Sequence, residues 1–338
     1  MTSRGKIAVF GAYGHTGRFV AAELLRRGWS PILAGRDEAK LRTAGAAFPG
    51  AETRAAAVDD PASLDRAFAG AAAVIHCAGP FLDTSEPVVE AALRARIHYL
   101  DVAAEQRAAL NVFERFSDAA RQAEVALVPG MAFYGGFGDL LATAALGDWE
   151  GADEIALAIA LDCWWPTEGT RRTGERNTFR RLLVTEGRLA PVPDPPPTRA
   201  WDFPPPFGPQ EVVGIHLTET ILMAQHLEVQ EIRAYINRTP LADLNDPATP
   251  APVAADESGR SSQLFLVEAV ARKGGEERRA IARGRDIYAF TAPLVVEAAE
   301  RVVDGRCRGT GVLAAGEAFD AQDVLRALTP EHLSLELR

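Results

Sequence analysis

Three glycines in the segment GAYGHTG, at positions 11, 14 and 17, constrain this chain more than any other feature. The segment follows a short apolar run at 6–10 and precedes a helical pattern at 15–27. In a strand–loop–helix unit, the first glycine allows the tight turn and the second lets the backbone approach a pyrophosphate. The third lets helix and strand pack closely. Free N–H groups at the helix start would then bind the anion. The alternative is a glycine-rich turn without a ligand.

The first 130 residues alternate between apolar runs and helical patterns. Strands are predicted at 6–10, 31–34, 55–58, 73–77, 98–102 and 125–128. Helices are predicted at 15–27, 38–47, 86–95 and 105–122, with a further helix that begins at Asp60 and Pro61. This order favours an α/β fold, a Rossmann-type doubly wound parallel sheet with helices on both faces.

The pattern changes beyond this alternation. A helix is predicted at 137–146 and strands at 154–162, 211–215, 231–236 and 264–272. Nine of the 22 prolines fall within 191–209, which predicts a long extended excursion. We therefore expect a dinucleotide-binding domain at 1–130 and an α+β substrate-binding or dimerisation domain at 131–290. A C-terminal helical segment at 291–338 is expected to pack back on the first domain.

Composition argues against several classes of protein. The net charge of −10 lacks the basic footprint of a general nucleic-acid binder. The longest charge-free run, 67–82, is broken by glycine and proline and is too short to span a bilayer. Three widely spaced cysteines indicate neither a disulfide framework nor a metal site. With no signal-peptide pattern at its start, the protein is expected to be cytoplasmic.

The end of the second predicted strand discriminates between the two nicotinamide cofactors. NAD-binding domains usually carry an acidic residue there, which bonds the ribose 2′-hydroxyl. Here the position holds Gly35, and Arg36 follows. A guanidinium can bind a 2′-phosphate through two hydrogen bonds, so NADP(H) is the expected cofactor. Asp37 is expected to cap the next helix, and Asp59 to lie near the adenine edge.

Hydride transfer belongs to the cofactor, so the protein must supply orientation and any proton. The candidates at strand ends are Tyr99, Asp101, Glu105 and Tyr134. Asp101 could instead cap the following helix. In the second domain, Trp164 and the donor-rich segment with Arg171, Arg176 and Asn177 could bind a carboxylate or a carrier phosphate. An exposed loop with ordinary charges is the alternative.

Several segments resemble the saccharopine dehydrogenase-like NADP-binding reductases, which include saccharopine reductases and trans-acting enoyl reductases. These segments are GAYGHTG, LAGRDEAKL at 33–41, HCAGPFLDTSEPVVEAAL at 76–93 and HYLDVAAE at 98–105. Two later segments, at 129–142 and 284–305, are similar more loosely. The resemblance implies that Ala78, Gly79, Pro80 and Phe81 pass close to the nicotinamide ribose, and that the protein forms a homodimer. The expected cofactor-binding residues come from four places: the glycine turn, the end of the second strand, the residue after the third strand and the loop after the fourth. They are Gly11, Ala12, Tyr13, Gly14, His15, Thr16, Gly17, Arg36, Asp59, Ala78, Gly79, Pro80 and Phe81.

The leading functional hypothesis is an NADPH-dependent reductase of an imine or an activated C=C bond in a small or carrier-linked metabolite. A dehydrogenase that oxidises an amino acid or an alcohol is the first alternative. The second is a regulator that senses NADP(H) without catalysis.

Overall fold

The computed structural model describes residues 4–338. The first half contains β1 (Lys6–Phe10), α1 (His15–Arg26), β2 (Ser30–Gly35), α2 (Glu38–Ala47), β3 (Glu52–Ala55), α3 (Pro61–Phe68), β4 (Ala73–His76), α4 (Phe81–Ala95), β5 (His98–Asp101), α5 (Gln106–Ala123), β6 (Ala126–Val128) and α6 (Gly138–Leu146). A π-helical turn, Phe133–Phe137, leads into α6.

The second half forms longer strands. Its elements are β7 (Gly151–Leu161), α7 (Glu168–Arg176), β8 (Leu182–Thr185), β9 (Arg188–Pro191), β10 (Thr198–Asp202), β11 (Pro209–Gly214), α8 (Thr218–His226), β12 (Glu228–Asn237), α9 (Arg238–Asn245), β13 (Leu264–Lys273), β14 (Glu276–Arg285), α10 (Ile287–Val303), β15 (Gly311–Val312), α11 (Ala315–Ala318), α12 (Ala321–Ala327) and β16 (Leu333–Leu337).

The strands form two sheets. The first is parallel, in the order β15-β6-β5-β4-β1-β2-β3, which confirms the Rossmann-type prediction. The second is mixed, in the order β10-β11-β12-β7-β13-β14-β16, with β8 paired to β12 and β9 paired to β8. Its only parallel pair along that order, among the described residues, is β12 with β7. One continuous apolar core includes residues of both sheets and of α6.

Helix α4 begins earlier than the sequence predicts, at Phe81 instead of Glu86. The prediction placed Pro87 in the first turn because proline lacks an N–H and is best tolerated there. In the structure Pro87 lies inside the helix, and Pro80 occupies the N-cap position. The prediction of the helix start was therefore wrong.

Strand β3 spans Glu52–Ala55, whereas the apolar run predicted a strand at 55–58. This strand lies at the edge of the sheet and is mostly exposed, so nothing requires apolar residues in it. The C-terminal segment is not wholly helical. Its short strands β15 and β16 complete the edges of the first and second sheets respectively.

Helix α10 packs against α1 through a buried ionic network. The guanidinium of Arg27 donates to Glu23 at 2.6 Å, to Glu297 at 2.5 Å and to Glu300 at 2.6 Å. The indole of Trp29 also donates to Glu300, at 2.9 Å. These charge-assisted bonds fix the later part of the chain to the first helix of the parallel sheet.

Candidate functional site

Two loops meet where the strand order of the parallel sheet reverses. Gly11 follows β1 and Ala78 follows β4, and these strands are neighbours in the sheet. A Cβ added at Gly11 would lie 2.8 Å from both the Cβ and the amide nitrogen of Ala78. Gly11 also has a φ of +88°, which disfavours any other residue. Ligands of doubly wound sheets bind at this switch point, beyond the carboxyl ends of the strands.

The other glycines of the loop shape the start of α1. A Cβ at Gly17 would lie 2.3 Å from the carbonyl oxygen of Gly11, so the helix can approach the turn only with glycine there. Gly14 is the N-cap of α1, and His15 and Thr16 form its first turn. Ala12 is fully buried, and the N–H groups of this turn provide an anion-binding helix start. The loop therefore fits a dinucleotide diphosphate.

The end of β2 carries no acidic side chain. A Cβ at Gly35 would lie 2.6 Å from the ring of Tyr13, so this tyrosine covers the strand end. Arg36 is exposed, and its guanidinium forms no hydrogen bond or ion pair with residues 4–338. The Asp37 carboxylate caps α2 by accepting from the amide of Lys40 at 3.0 Å, as predicted. The cation is thus free for a phosphate. Asp59 is exposed beyond β3.

The second domain approaches the loop at 78–81 through α7. A Cβ at Gly79 would lie 3.2 Å from the hydroxyl of Thr173. Arg176 forms a two-pronged ion pair with Asp83, in the first turn of α4, at 2.8 to 3.1 Å. Helix α7 therefore lies over the loop that follows β4 and borders the crevice.

Tyr99 and Asp101 contact each other inside the protein. The Tyr99 hydroxyl donates to Asp101 at 2.7 Å, and neither residue is more than 1 % exposed. The Asp101 carboxylate also accepts from the amides of Ala103 at 2.9 Å and Gly130 at 2.7 Å. These bonds hold the loop after β5 against the loop after β6. The arrangement gives both side chains a structural role in shaping the crevice.

Glu105 binds the end of the loop at 78–81 through its side chain. Its carboxylate accepts from the amide of Phe81 at 2.9 Å and from that of Ala104 at 3.1 Å. Desolvation by burial raises the pKa of Glu105 to about 7. Glu105 is thus bound to the backbone of the expected cofactor loop.

An aromatic cluster joins the π-helical turn to the second domain. The ring of Tyr134 stacks on Trp164 with centroids 5.1 Å apart. The Tyr288 hydroxyl accepts from the indole of Trp164 at 2.9 Å and shares a 2.8 Å hydrogen bond with Thr170. On its other side, the Tyr288 ring contacts that of His15 edge to face, at 5.5 Å. Tyr288 therefore links the glycine loop to the wall of the second domain.

We expect Tyr288→Phe to destabilise the protein by about 1–3 kcal/mol, because it leaves the buried indole N–H of Trp164 without an acceptor. The free energy of unfolding in urea measures this loss. Tyr13→Phe, which removes a hydroxyl with no hydrogen bond among residues 4–338, is the matched control. Equal stabilities of the two variants would contradict the role assigned to Tyr288.

Glu219, in the first turn of α8, is a buried acid that the sequence prediction missed. It is 1 % exposed, and its Oε1 accepts from the amide of Leu217 at 2.8 Å. Its Oε2 has no partner among the described residues, and the Tyr134 hydroxyl is equally unpaired. Desolvation raises the pKa of Glu219 to about 7 and raises that of Tyr134 well above its usual range. The available signal was one acid within the otherwise uncharged run LTETILMAQ.

The raised pKa of Glu219 predicts a pH-dependent effect of Glu219→Gln. The unfolded carboxyl ionises near its ordinary value of 4.5, whereas the folded one keeps its proton to about 7. Wild type therefore loses this group's stabilising contribution as pH rises from about 5 to 7. Relative to wild type, the variant should become more stable across that window.

Urea unfolding at several pH values measures the difference between the two proteins. Comparing the two cancels the opposing effect of buried histidines such as His216, whose pKa desolvation lowers to about 4. The exposed Glu90, substituted by glutamine, serves as the control and should differ from wild type by a constant amount. A constant difference for Glu219→Gln as well would refute the expectation.

The predicted substrate-binding residues have different partners in the structure. Arg171 donates to the carbonyl oxygens of Asp246 at 3.2 Å and Thr249 at 2.9 Å, and Arg176 is paired with Asp83. Both guanidinium groups therefore already have partners in the protein. Asn177 lines a small cavity described below, whereas Trp164 belongs to the aromatic cluster.

Two features, a membrane-spanning helix and a metal-binding cluster, are absent from the part of the chain that the structure describes. No helix in residues 4–338 is long and apolar enough to cross a bilayer. The same residues contain no group of three or more His, Cys, Asp or Glu side chains that could hold a metal ion.

Comparison with known proteins identifies the first domain. Residues 7–128 match the family model described as saccharopine dehydrogenase NADP binding domain. A protein from Bos taurus, named saccharopine dehydrogenase-like oxidoreductase, is 28% identical over 145 residues, covering 38% of this chain and 34% of that protein. This chain thus spans only about a third of that relative. The apo structure of saccharopine dehydrogenase (L-Glu forming) from Saccharomyces cerevisiae has a TM-score of 0.69 at 12% identity. It covers 99% of this chain and 100% of its own, which shows a shared fold.

Proposed function

We propose that the chain is an NADPH-dependent reductase, because residues 7–128 match the family model of the saccharopine dehydrogenase NADP binding domain. Its substrate would be an imine or an activated C=C bond in a small or carrier-linked metabolite. The observation that carries the proposal is the glycine turn at the switch point of the parallel sheet, with Thr173 of α7 against the loop at 78–81. A homodimer and a cytoplasmic location belong to the same proposal.

Each group in this crevice has a distinct task. The turn of Gly11, Gly14 and Gly17 would hold the diphosphate, and Arg36 the 2′-phosphate. NADPH, when bound, supplies the hydride. Reduction of a C=N or C=C bond also needs a proton on the other atom of that bond. The proposed proton source is the buried pair Tyr134 and Glu219, whose hydroxyl and Oε2 respectively have no hydrogen-bond partner among the described residues.

Two alternative functions would use the same cofactor but predict different turnover. A dehydrogenase would oxidise an amino acid or an alcohol with NADP⁺ in the same crevice. A regulator would bind NADP(H) tightly without turnover. The wall formed by the second domain favours catalysis over sensing, since enclosure of the cofactor excludes water from the reacting bond.

The deciding experiment follows NADPH absorbance with panels of oxo acid–amine pairs and enoyl thioesters, and NADP⁺ reduction with amino acids and alcohols. Oxidation of NADPH by a member of the first panel supports the reductase. Turnover only in the reverse panel supports the dehydrogenase. Binding of NADPH with no turnover in either panel favours the regulator, and absence of NADPH binding overturns all three.

A further inference from the structure

A small cavity lies between the start of α5 and the segment that leads into β8. Its volume is about 160 Å³, enough for a carboxylate or phosphate group. The lining residues are Gln106, Arg107, Leu110, Asn177, Phe179, Arg180, Arg181, Leu182, His216 and Leu217. Three of these are arginines and none is acidic, although the whole chain has a net charge of −10.

The three arginines differ in what they already bind. Arg107 pairs with Glu114 at 3.2 Å, and Arg180 donates to the carbonyl oxygen of Val192 at 3.0 Å. The guanidinium of Arg181 forms no hydrogen bond or ion pair with residues 4–338. Arg181 is exposed. Desolvation lowers the pKa of its guanidinium, and the charge of Glu219 acts in the opposite direction. A guanidinium at the surface without a protein partner is available to bind an anion.

A second lining residue also lacks a partner. His216 is 1 % exposed, and its Nδ1 contacts the Thr220 hydroxyl at 3.2 Å. Its Nε2 has no hydrogen-bond partner among the described residues. Desolvation keeps this imidazole neutral near pH 7 by lowering its pKa to about 4, so Nε2 can be a donor in one tautomer. The positive end of the long helix α5 adds to the attraction for an anion.

Two lining residues of the cavity are chain neighbours of residues that contact the loop at 78–81 or the first turn of α4. Gln106 follows Glu105, which binds the amide of Phe81 in the cofactor loop. Asn177 follows Arg176, which pairs with Asp83 in the same region. The side-chain amide of Gln106 binds the backbone of Leu182 on the opposite side of the cavity. It donates to the Leu182 carbonyl at 2.8 Å and accepts from the Leu182 N–H at 2.7 Å. The lining residues Gln106 and Asn177 are thus each one position along the chain from a side chain that contacts the segment 81–83.

We propose that this cavity is an anion subsite of the substrate, in which Arg181 is the principal cation and His216 a neutral donor. The inference rests on the proposed function and narrows its substrate to a molecule with a carboxylate or phosphate group away from the reacting bond. It also separates substrate binding from the glycine loop, where the cofactor phosphates would bind.

Calorimetric titration of glutarate and of inorganic phosphate, with and without saturating NADPH, tests the subsite. The proteins compared are wild type, Arg181→Gln, Arg181→Lys and Arg188→Gln. Arg188 is an exposed arginine of β9 outside the cavity and provides the charge-matched control. We expect at least one probe to bind wild type and Arg188→Gln equally. The Arg181→Gln substitution should weaken it about tenfold, and Arg181→Lys should weaken it less.

Binding of glutarate would indicate a carboxylate substrate, and binding of phosphate alone a phosphorylated or carrier-linked one. The subsite is overturned if neither probe binds wild type, or if Arg181→Gln binds it as wild type does. NADPH affinity, measured in parallel, should be the same in all four proteins. If wild type binds an anion probe but does not bind NADPH, the result would count against the proposed function and not against the subsite.

Discussion

Substitution Arg36→Ala should weaken NADPH binding by roughly 10- to 100-fold while leaving NADH affinity nearly unchanged. The two cofactors differ by the 2′-phosphate, and a charge-assisted bond to it contributes about 1.5–3 kcal/mol. Arg36 is exposed at the end of β2, and its guanidinium has no competing partner among the described residues. Its removal should therefore remove the preference for NADPH and little else.

Fluorescence titration with both cofactors measures this preference. Arg42→Ala is a suitable control, because Arg42 lies one turn further along α2 and contacts Glu38 at 3.7 Å. It should retain most of the preference, since its charge acts only at a distance. If Arg36→Ala still prefers NADPH as strongly as wild type, another group reads the phosphate.

The substitution Gly17→Ala should reduce affinity for both cofactors by about 100-fold and destabilise the fold by about 1–3 kcal/mol. The new Cβ would lie 2.3 Å from the carbonyl oxygen of Gly11 and 3.0 Å from the Cα of Ala12. Both contacts are with backbone, so the glycine turn must move as a whole. The amides that would bind the diphosphate then lose their alignment.

A graded series separates this effect from a general cost of alanine. At Gly14 the nearest contact of a Cβ is 3.1 Å, and at Gly174 in α7 nothing lies within 4 Å. Gly174→Ala should leave cofactor affinity unchanged, and Gly14→Ala should lie between the two. Thermal unfolding recorded with each titration shows whether Gly17→Ala is folded. Equal affinities across the series would show that the loop does not hold the cofactor.

The sequence was enough to predict the elements that depend only on neighbouring residues in the chain. The glycine turn, the buried strands β1 and β4 and the Asp37 cap each depend on a few adjacent residues. Edge strands were harder, because β3 has little apolar surface to bury. The two-residue strand β15 carries almost no pattern, and only its pairing with β6 defines it.

The site was less predictable because its residues come together from distant segments. Tyr99 and Asp101 alternate along a strand, which predicted a shared face. The sequence did not predict that Tyr99 donates to Asp101, or that Asp101 also binds the amide of Gly130 in a neighbouring loop. Glu219 and Arg181 have no motif around them. They became candidates because polar atoms of their side chains have no hydrogen-bond partner among the described residues, which only the folded structure can show.

The strand β15 has a consequence for how the chain is made. It lies beside β6 at the end of the cofactor-binding sheet, yet more than half of the chain separates the two in sequence. During translation the β6 edge stays unpaired until strands β7 to β14 have been synthesised. Exposed strand edges of this kind pair readily with other chains. The growing polypeptide is therefore most vulnerable to aggregation, and most dependent on chaperones, in the interval before Gly311 and Val312 arrive.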